Sequence, residues 1–508
     1  MFRINSIMNE SRDKVRVYGI DEKPHSNYYT ILTGDNASGK SSLLSKAINF
    51  FLFNNKKDNY LEPAIELVNS SEKFPSKIIA LCNSRFDKFT SNVFFNNTSS
   101  EAKIATPSMF YIHPETNHNS RKEISRVVDQ CLKNSLRLKK TRNPQISNNV
   151  NEAFMMFGLQ SQLHLKCVTN TQKTDYICAM LSSLINGKMV LSDKGITRTK
   201  KERYFINDDL VNRNSRVDES IEFIWQELES HSEAIHLFDI LSMIHEGKFN
   251  AENIGDVYFS IAEGIIHSER KNLFFDFTDI AVIRHLFLLD VFSVSDFQVM
   301  HLNSNKEVSI ISLSSGQRTL FGNAIVLSSF AERNSMICID EPENSLHPEW
   351  QLNFMRFISL LCPDELGAHV FIATHSPQII SGMQYDNGCV LSLSKRDTVD
   401  SITIRKENKN EGENFYELQP LNIYREQSAD KQLTGVFKSP GYKNDFIIRK
   451  LLLILSKSSK EITLSEKDEH FITEIDILIQ RNRIPEGDPV EMLFKQVNSF
   501  LKERNSDD

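Results

Sequence analysis

One short segment, Gly34–Ser41, constrains the fold of this 508-residue chain more than any other part of its sequence. It reads GDNASGKS. The run YYTILT precedes it and apolar residues at three- and four-residue spacing follow it, which predicts a strand, a glycine-containing turn and a helix. In that arrangement the N–H groups of the turn and the helix N-terminus bind the oxygens of a phosphate chain. The Lys40 ammonium would reach the β- and γ-phosphates and the Ser41 hydroxyl would bind Mg²⁺. The alternative is a chance match to the pattern.

A second candidate for this chemistry is the acidic end of a predicted strand, MICIDEPE, at Met336–Glu343. Its continuous apolar run is typical of a parallel strand that is covered on both faces. Asp340 at the C-terminal end of the strand would hold Mg²⁺ beside the phosphate loop, directly or through water. Glu341 is the natural acceptor for a proton from an attacking water. The alternative is a strand-end turn with two solvated acids.

A turn of serine and glycine, LSSGQ, precedes another predicted helix at Leu313–Gln317. Its hydroxyl groups, its N–H groups and the helix N-terminus form a second anion site. One phosphate tail cannot easily use both anion sites of a single chain. The simplest arrangement is a dimer, in which Ser315 and Gly316 of one protomer close over the γ-phosphate held by Lys40 of the other. Turns of this composition are also common in proteins without such a role.

His375 ends the next apolar run, in the segment ATHSP. Its imidazole would hydrogen-bond the γ-phosphate or the attacking water, and would respond to whether that phosphate is present. A single histidine at a strand end more often has a structural role. However, four signals occur in this order, each at a predicted strand end or helix start, and together they favour a nucleotide site over four coincidences.

Composition and charge exclude several other classes of protein. The 59 Lys and Arg residues against 66 Asp and Glu give a net charge of −7, which excludes a uniformly basic chain but not a local basic groove. The longest apolar runs, such as LLLIL, are far shorter than the ~20 residues that span a bilayer, and the N-terminal residues lack the apolar core of a signal peptide. The 7 cysteines form no CxxC pair, which disfavours disulfide frameworks and zinc ribbons. We therefore expect a cytoplasmic protein that does not contact a membrane.

The order of predicted elements gives an α/β fold with a mostly parallel sheet, a helical insert and a helical C-terminal tail. Strand patterns flank the phosphate loop and return after the insert, where MICID and HVFIAT are separated by a helix. The insert reads as a largely helical lobe, as in DESIEFIWQELES. The predicted domains are the N-terminal part of the head at 1–90, the insert at 91–295, the C-terminal part of the head at 296–410 and the tail at 411–508.

Two further features each allow two interpretations. The basic stretches Lys133–Arg142 and Lys194–Arg203 either line a groove for phosphodiester backbones or are solvated loops. The apolar faces of the tail helices either pack onto the head or dock a partner nuclease or another copy of the chain.

Together, these motifs resemble the ABC-type ATPase head of SMC and double-strand-break-repair ATPases and of the overcoming-lysogenization-defect family, over roughly 1–89 and 296–394. The resemblance implies a P-loop NTPase of the AAA group, with ATP and Mg²⁺ as cofactors. Ser315 stands where transporters of this class usually have a glycine. The residues implied for nucleotide binding are Asn36, Gly39, Lys40, Ser41, Ser42, Leu313, Ser314, Ser315, Gly316 and Gln317; for the metal, Ser41 and Asp340; for catalysis, Glu341 and His375; and for the dimer contact, Asn344–His347.

The chain departs from these families in two respects. The insert is too short and too irregular for a long coiled-coil arm, because sustained heptads are missing. The residues after His375 lack the spaced acidic pattern of a fused TOPRIM nuclease, and no HNH-type cluster is apparent. If the system cleaves nucleic acid, we expect another chain to do so.

A narrower resemblance rests on the short insert, on NSRFDKF at Asn83–Phe89 and on the tail segment Arg425–Phe446. These are similar to the PtuA family, the ATPases of Septu-type anti-phage defence and of the retrons that carry this module. That resemblance implies a PtuB-like HNH nuclease as partner and a homodimer or higher oligomer through the ATPase heads. It leaves open whether DNA or a retron DNA–RNA hybrid binds.

We therefore expect a slow ATPase that regulates a nuclease and has no nuclease activity of its own. The alternatives are a stand-alone SMC-like DNA-repair ATPase and a scaffold that uses ATP only as a clamp. The glutamine that completes Mg²⁺ coordination stays open between Gln160 and Gln162, which follow the strand-like segment AFMMFGL.

Overall fold

The structure is a computed structural model of the 508 residues. The residues it describes are 1–9, 13–19, 21, 23–34, 38–53, 65–68, 74–82, 108–112, 120–137, 143–187, 189–192, 195–198, 215–228, 230–268, 280–383, 387–393, 417–421, 427–435, 440–460, 462–480 and 483–506.

Strands and helices are interspersed along the chain, and helices predominate towards its C-terminal end. The strands are β1 (Ile4–Met8), β2 (Lys14–Arg16), β3 (Tyr28–Thr33), β4 (Ile65–Leu67), β5 (Lys77–Cys82), β6 (Ser108–Ile112), β7 (Leu159–Thr169), β8 (Met189–Ser192), β9 (Gly195–Arg198), β10 (Val257–Ser260), β11 (Ile265–Ser268), β12 (Phe292–His301), β13 (Glu307–Ser309), β14 (Met336–Asp340), β15 (His369–Ala373), β16 (Gly388–Ser392) and β17 (Glu417–Pro420). The helices are α1 (Lys40–Phe53), α2 (Ser120–Arg137), α3 (Pro144–Met156), α4 (Thr174–Ile185), α5 (Ser215–Glu227), α6 (His231–His245), α7 (Ile280–Leu288), α8 (Ser315–Phe330), α9 (Pro348–Leu361), α10 (Pro377–Ser381), α11 (Ala429–Gly435), α12 (Asp445–Ser459), α13 (Glu466–Gln480) and α14 (Pro489–Ser506). Among the described helices, none has both the length and the apolar character needed to cross a bilayer.

The chain forms two compact units. The first comprises residues 1–90, 333–358 and 364–508, and the second comprises residues 91–332 and 359–363. The domain boundaries predicted from the sequence stay a prediction.

The first unit is built on a mostly parallel sheet. Six of its strands lie in the order β17-β16-β3-β15-β14-β5, and all neighbours run parallel except β17, which is antiparallel to β16. Strands β3, β14 and β15 are buried along their whole length, as expected for parallel strands that are covered on both faces. The predicted α/β fold with a mostly parallel sheet is confirmed. A smaller antiparallel sheet, β2-β1-β4, completes the strands of this unit.

The register of the parallel strands determines where the site can form. Leu32, Ala373, Asp340 and Cys82 lie side by side, at the C-terminal ends of β3, β15, β14 and β5. The segments that follow three of these strands are those that the sequence analysis singled out. The fold therefore collects them along one edge of the sheet.

A buried histidine ties the small antiparallel sheet to the large one. The His369 ring is fully buried; its Nδ1 atom accepts a hydrogen bond from the Ile4 N–H at 3.1 Å, and its Nε2 atom lies 3.0 Å from Thr30 Oγ1. Thr30 donates its own hydrogen to the Val17 carbonyl, so Nε2 is the donor and the ring is neutral. Burial, with a smaller effect of the Arg3 charge, holds the pKa of His369 well below its ordinary value of 6.5.

We expect His369 to make the protein less stable as the pH falls below about 6.5. The unfolded chain takes up a proton there that the folded chain cannot, so stability is lost by up to about 1.4 kcal/mol per pH unit until the folded pKa is reached. The test is to measure the free energy of unfolding in urea at pH 7.5 and 5.0, for the wild type and for His369→Gln. Glutamine keeps a donor and an acceptor but cannot be protonated. The stability difference between the two proteins should change with pH. A constant difference would contradict the prediction.

The second unit contains an antiparallel sheet in the order β11-β10-β7-β12-β13. One face of β7 is buried and the other is more exposed, which fits the alternation of Leu and polar residues in LQSQLHLKCVT. Helix α2 packs against β12 and α8, and α3 packs against β7 and α8.

The described part of the insert, predicted to be largely helical, contains the helices α2–α7 and also the strands β7, β10 and β11. One prediction for this region needs correction. The segment AFMMFGL was predicted to be strand-like, but its first residues end α3 and the strand begins only at Leu159. Gly158 separates them in a left-handed conformation, with φ of +80°. Short apolar runs do not distinguish a buried helix end from a strand.

Lys133, the first residue of the basic stretch Lys133–Arg142, takes part in an ion-pair network. Lys133 forms ion pairs with Asp129 and Asp290, both at 2.6 Å, and Asp129 also accepts a hydrogen bond from the Val294 N–H at 2.9 Å. Despite burial, the two acids raise the pKa of Lys133. Lys133 is thus engaged within the second unit rather than available for a phosphodiester backbone. Residues 138–142 and most of Lys194–Arg203 lie outside the described residues.

The tail helices have a core of their own within the first unit. Apolar side chains from α12, α13 and α14 pack together, among them Ile447, Leu451 and Ile475, which are fully buried. The Asn444 side chain caps α12 and donates to the Asp430 carbonyl of α11 at 3.1 Å, and α11 packs against α10. This bears out the predicted helical tail and places its apolar faces largely on one another.

Candidate nucleotide-binding site

The phosphate loop begins where β3 ends and leads into α1. Gly34 and Gly39 have φ angles of +142° and +94°, a region that favours glycine. The helix begins at Lys40, whose side chain is 5% exposed and whose Nζ atom donates to the Gly34 carbonyl at 3.2 Å. The lysine therefore folds back over its own loop. Asn36 lies outside the described residues.

Asp340 presents a buried carboxylate at the end of β14, which is separated from β3 by β15. It is 1% exposed, and among the described residues neither of its oxygens has a hydrogen-bond partner of ordinary geometry. Burial is the main reason that the pKa of Asp340 is raised to about 6; the nearby Ser41 hydroxyl and the Lys40 ammonium oppose this rise. A buried carboxylate beside a hydroxyl has the oxygen ligands that Mg²⁺ prefers. The residues present fit Mg²⁺, and Ser41 and Asp340 would be its protein ligands.

Glu341 adopts a strained backbone conformation beside Asp340. Its φ is +49°, and its N–H donates to the Ala373 carbonyl at 2.9 Å, which extends the β14–β15 pairing by one residue. Its Oε2 atom accepts a hydrogen bond from Asn344 Nδ2 at 2.8 Å. Non-glycine residues in this region of φ cost free energy and cluster at functional sites. The strain is consistent with the catalytic role predicted for Glu341.

His375 follows β15 in a turn that is tied to the turn after β14. The His375 N–H donates to Glu343 Oε1 at 2.5 Å, and the Thr374 hydroxyl donates to Glu343 Oε2 at 2.8 Å. Desolvation raises the pKa of Glu343, and these hydrogen bonds oppose the rise. The segment Asn344–His347, predicted as a dimer contact, follows Glu343 in the turn after β14 and leads into α9.

The signature segment lies in the second unit, at the start of α8. Ser314 is the N-cap residue: its hydroxyl accepts from the Gln317 N–H at 3.2 Å, and the Gln317 side chain accepts from the Ser314 N–H at 3.1 Å, which forms a capping box. Gln317 also donates to the Phe157 carbonyl at 3.0 Å. Leu313 and Gly316 are buried, whereas Ser314 and Ser315 are exposed. The Ser314 hydroxyl takes part in the capping box, which leaves Ser315 as the exposed signature side chain outside the cap.

The structure thus brings Gly39, Lys40, Ser41, Ser42, Asp340, Glu341 and His375 to one edge of the sheet in the first unit. Gln160 and Gln162 lie on β7 in the second unit, where Gln160 donates to Asn305 at 2.8 Å. Glu343 was not predicted to belong to the site, although its place in Asp-Glu-Pro-Glu was a signal. The pairing of Asn344 with Glu341 was not predicted either.

A phosphate loop and an acidic strand on a parallel sheet define a P-loop nucleoside triphosphatase. The sequence profile of the AAA ATPase domain family matches residues 20–380, and the chain belongs to that family. Membership implies that it binds ATP.

Two solved structures are similar to this chain at low sequence identity. UvrA2 from Deinococcus radiodurans is 13% identical over 76% of this chain and 35% of its own, with a TM-score of 0.25. The Smc head domain of Pyrococcus furiosus, with an extended coiled coil and bound to the C-terminal domain of ScpA, is 11% identical over 81% of this chain and 100% of its own, with a TM-score of 0.27. This chain therefore spans about a third of the length of UvrA2. No curated protein matches the sequence.

Proposed function

We propose that this protein is a cytoplasmic ABC-type ATPase that binds ATP with Mg²⁺, dimerises around it and regulates a partner HNH nuclease in anti-phage defence. The observation that carries the ATPase part is the convergence of Lys40, Ser41 and the buried Asp340 carboxylate at one sheet edge. Membership of the AAA ATPase domain family supports it.

In this proposal the residues of the first unit divide the work. The loop N–H groups and Lys40 bind the phosphates, while Ser41 and Asp340 would hold Mg²⁺, which when bound offsets the phosphate charge. Glu341 accepts the proton of the attacking water. His375 hydrogen-bonds the γ-phosphate or that water.

The signature turn supplies the argument for a dimer. Ser315 is exposed at the N-terminus of α8, where N–H groups and the helix dipole favour an anion. In the dimer, Ser315 and Gly316 of one protomer cover the γ-phosphate bound by the other. ATP would then join the two heads, and its hydrolysis would release them.

The narrower assignment to Septu-type defence rests on the similarity of the short insert and the tail to PtuA. Asn83–Phe89 lies outside the described residues, as does part of the tail segment. The exposed side chains of Leu452 and Leu453 on α12 leave part of the tail surface apolar, which suits a partner.

An ATP titration tests the coupling. The protein is mixed with a PtuB-like HNH nuclease, and cleavage is followed as ATP is added. We expect the two chains to co-purify and cleavage to change by about tenfold across the titration, within the usual range of allosteric coupling. Ser315→Arg should abolish the ATP response by blocking the shared site, whereas Ser304→Arg, an exposed serine in the turn after β12, should not.

Unchanged cleavage by the wild-type mixture at every ATP concentration would contradict the coupling. If no nuclease co-purifies and DNA ends stimulate ATP hydrolysis, the protein is instead a stand-alone repair ATPase.

A further inference from the structure

The Glu343 carboxylate bridges two turns that leave neighbouring strands. It lies after β14, and both of its oxygens reach the turn after β15: Oε1 accepts from the His375 N–H at 2.5 Å and Oε2 from the Thr374 hydroxyl at 2.8 Å. An ionised carboxylate makes hydrogen bonds that are shorter and roughly twice as strong as neutral ones. The side chain therefore acts directly on the backbone of His375.

The same carboxylate also fixes the residues on either side of His375. The Thr374 hydroxyl, which donates to Glu343, accepts from the Ser376 N–H at 2.9 Å, while the Thr374 N–H donates to the Leu32 carbonyl at 3.0 Å. Thr374 is fully buried and Ser376 is 6% exposed. Glu343 thus anchors three consecutive residues.

A second link joins the same two turns through α9. The Ser376 hydroxyl donates to Gln351 Oε1 at 2.6 Å, and Gln351 Nε2 donates to the Leu346 carbonyl at 3.0 Å. His375 lies between these two anchors, so its position follows that of the turn after β14.

We propose that Glu343 is a positioning residue that sets the place of His375 in the ATPase site. The inference rests on the proposed function, in which His375 contacts the γ-phosphate or the attacking water. Asp340 and Glu341 lie close by, and like charges disfavour a third carboxylate there. The two donors on Glu343 offset that cost and link the acidic strand end to the histidine turn.

A double-mutant cycle tests whether Glu343 acts through His375. We expect Glu343→Gln, which keeps the shape but loses the charge, to lower kcat about tenfold, equivalent to about 1.4 kcal/mol. In the His375→Ala background the same change should lower kcat less than about twofold, because the group it positions is gone. The ATP affinity of the double variant should equal that of His375→Ala alone. Glu349→Gln, an exposed acid at the start of α9, is the matched control and should behave as the wild type.

Hydrogen exchange of the ATP-free protein provides a readout that does not depend on turnover. The amides of residues 374–376 should exchange about tenfold faster in Glu343→Gln than in the wild type or Glu349→Gln. Additive effects on kcat in the cycle, or unchanged exchange in Glu343→Gln, would overturn the proposal. A wild-type protein that binds no ATP and hydrolyses none would overturn the proposed function, and the exchange result alone would then decide whether Glu343 holds the turn.

Discussion

Replacing Lys40 with alanine is expected to abolish ATP binding at concentrations that saturate the wild type. The lysine is the first residue of α1, is almost fully buried, and already points its ammonium into the loop, at the Gly34 carbonyl. Polyphosphate bound there would carry several negative charges, and no other cation lies among the residues that the structure assigns to this loop. Loss of one partner of a buried charge pair costs about 2–5 kcal/mol, or roughly 30-fold to several thousand-fold in affinity.

Isothermal titration calorimetry with ATP and Mg²⁺ measures this effect. Lys46→Ala is the matched control, because it removes the same charge from the same helix away from the loop, and it should bind like the wild type. Circular dichroism establishes that Lys40→Ala remains folded, which matters because Lys40 also bonds the loop. Equal ATP affinity of Lys40→Ala and the wild type would refute the nucleotide site and with it the proposed function.

The parts of the fold that the sequence predicts best are those with a single dominant signal. Continuous apolar runs in β3, β14 and β15 identify buried parallel strands, because only such strands need apolar residues on both faces. The phosphate loop is recognisable because its chemistry requires glycines and a lysine at fixed spacing. Their convergence at one edge then follows from the geometry of parallel strands.

Other features depend on contacts between residues that are distant in sequence, and spacing cannot reveal these. From the sequence alone, Glu343 resembles any solvated acid in a turn. Nothing near it in sequence indicates that the Thr374 hydroxyl and the His375 N–H, in the turn after β15, donate hydrogen bonds to it. From the sequence alone, Lys133 is part of a basic stretch. In the structure it forms an ion pair with Asp290, which is far from it along the chain. Strand β7 was not predicted, because the strand was placed instead on the apolar segment before it, which contains the end of α3.

Asp340 ends β14 and Glu341 follows it, but the two acids have different environments, which favours different roles for them. The Asp340 carboxylate is buried beside the Ser41 hydroxyl, as a metal ligand would be placed. The Glu341 carboxylate is partly exposed and held by Asn344 at 2.8 Å, on a backbone with φ of +49°. A group that must accept a proton from water needs access to that water, which favours Glu341 over Asp340 as the base.

Changing Glu341 to glutamine is accordingly expected to lower kcat for ATP hydrolysis by about 10²–10⁴-fold while ATP binding is retained. Glutamine cannot accept a proton from water, but its carbonyl oxygen can still accept the hydrogen bond of Asn344, so the turn should keep its shape. ATP that is bound but not hydrolysed should accumulate in the dimer, and analytical ultracentrifugation with ATP and Mg²⁺ should show a larger dimer fraction than for the wild type.

Phosphate release and sedimentation, measured on the same preparations, separate an enzyme from a clamp. Glu365→Gln, an exposed acid in the same unit, should match the wild type in both. A non-catalytic scaffold requires ATP binding but not hydrolysis, and therefore predicts that Glu341→Gln regulates the nuclease as the wild type does while Lys40→Ala fails. The alternative result is that, after free ATP is removed, the nuclease mixed with Glu341→Gln keeps its ATP-bound activity while the nuclease mixed with the wild type does not. In that case hydrolysis is the step that resets the complex. Unchanged kcat in Glu341→Gln would show that another group accepts the proton.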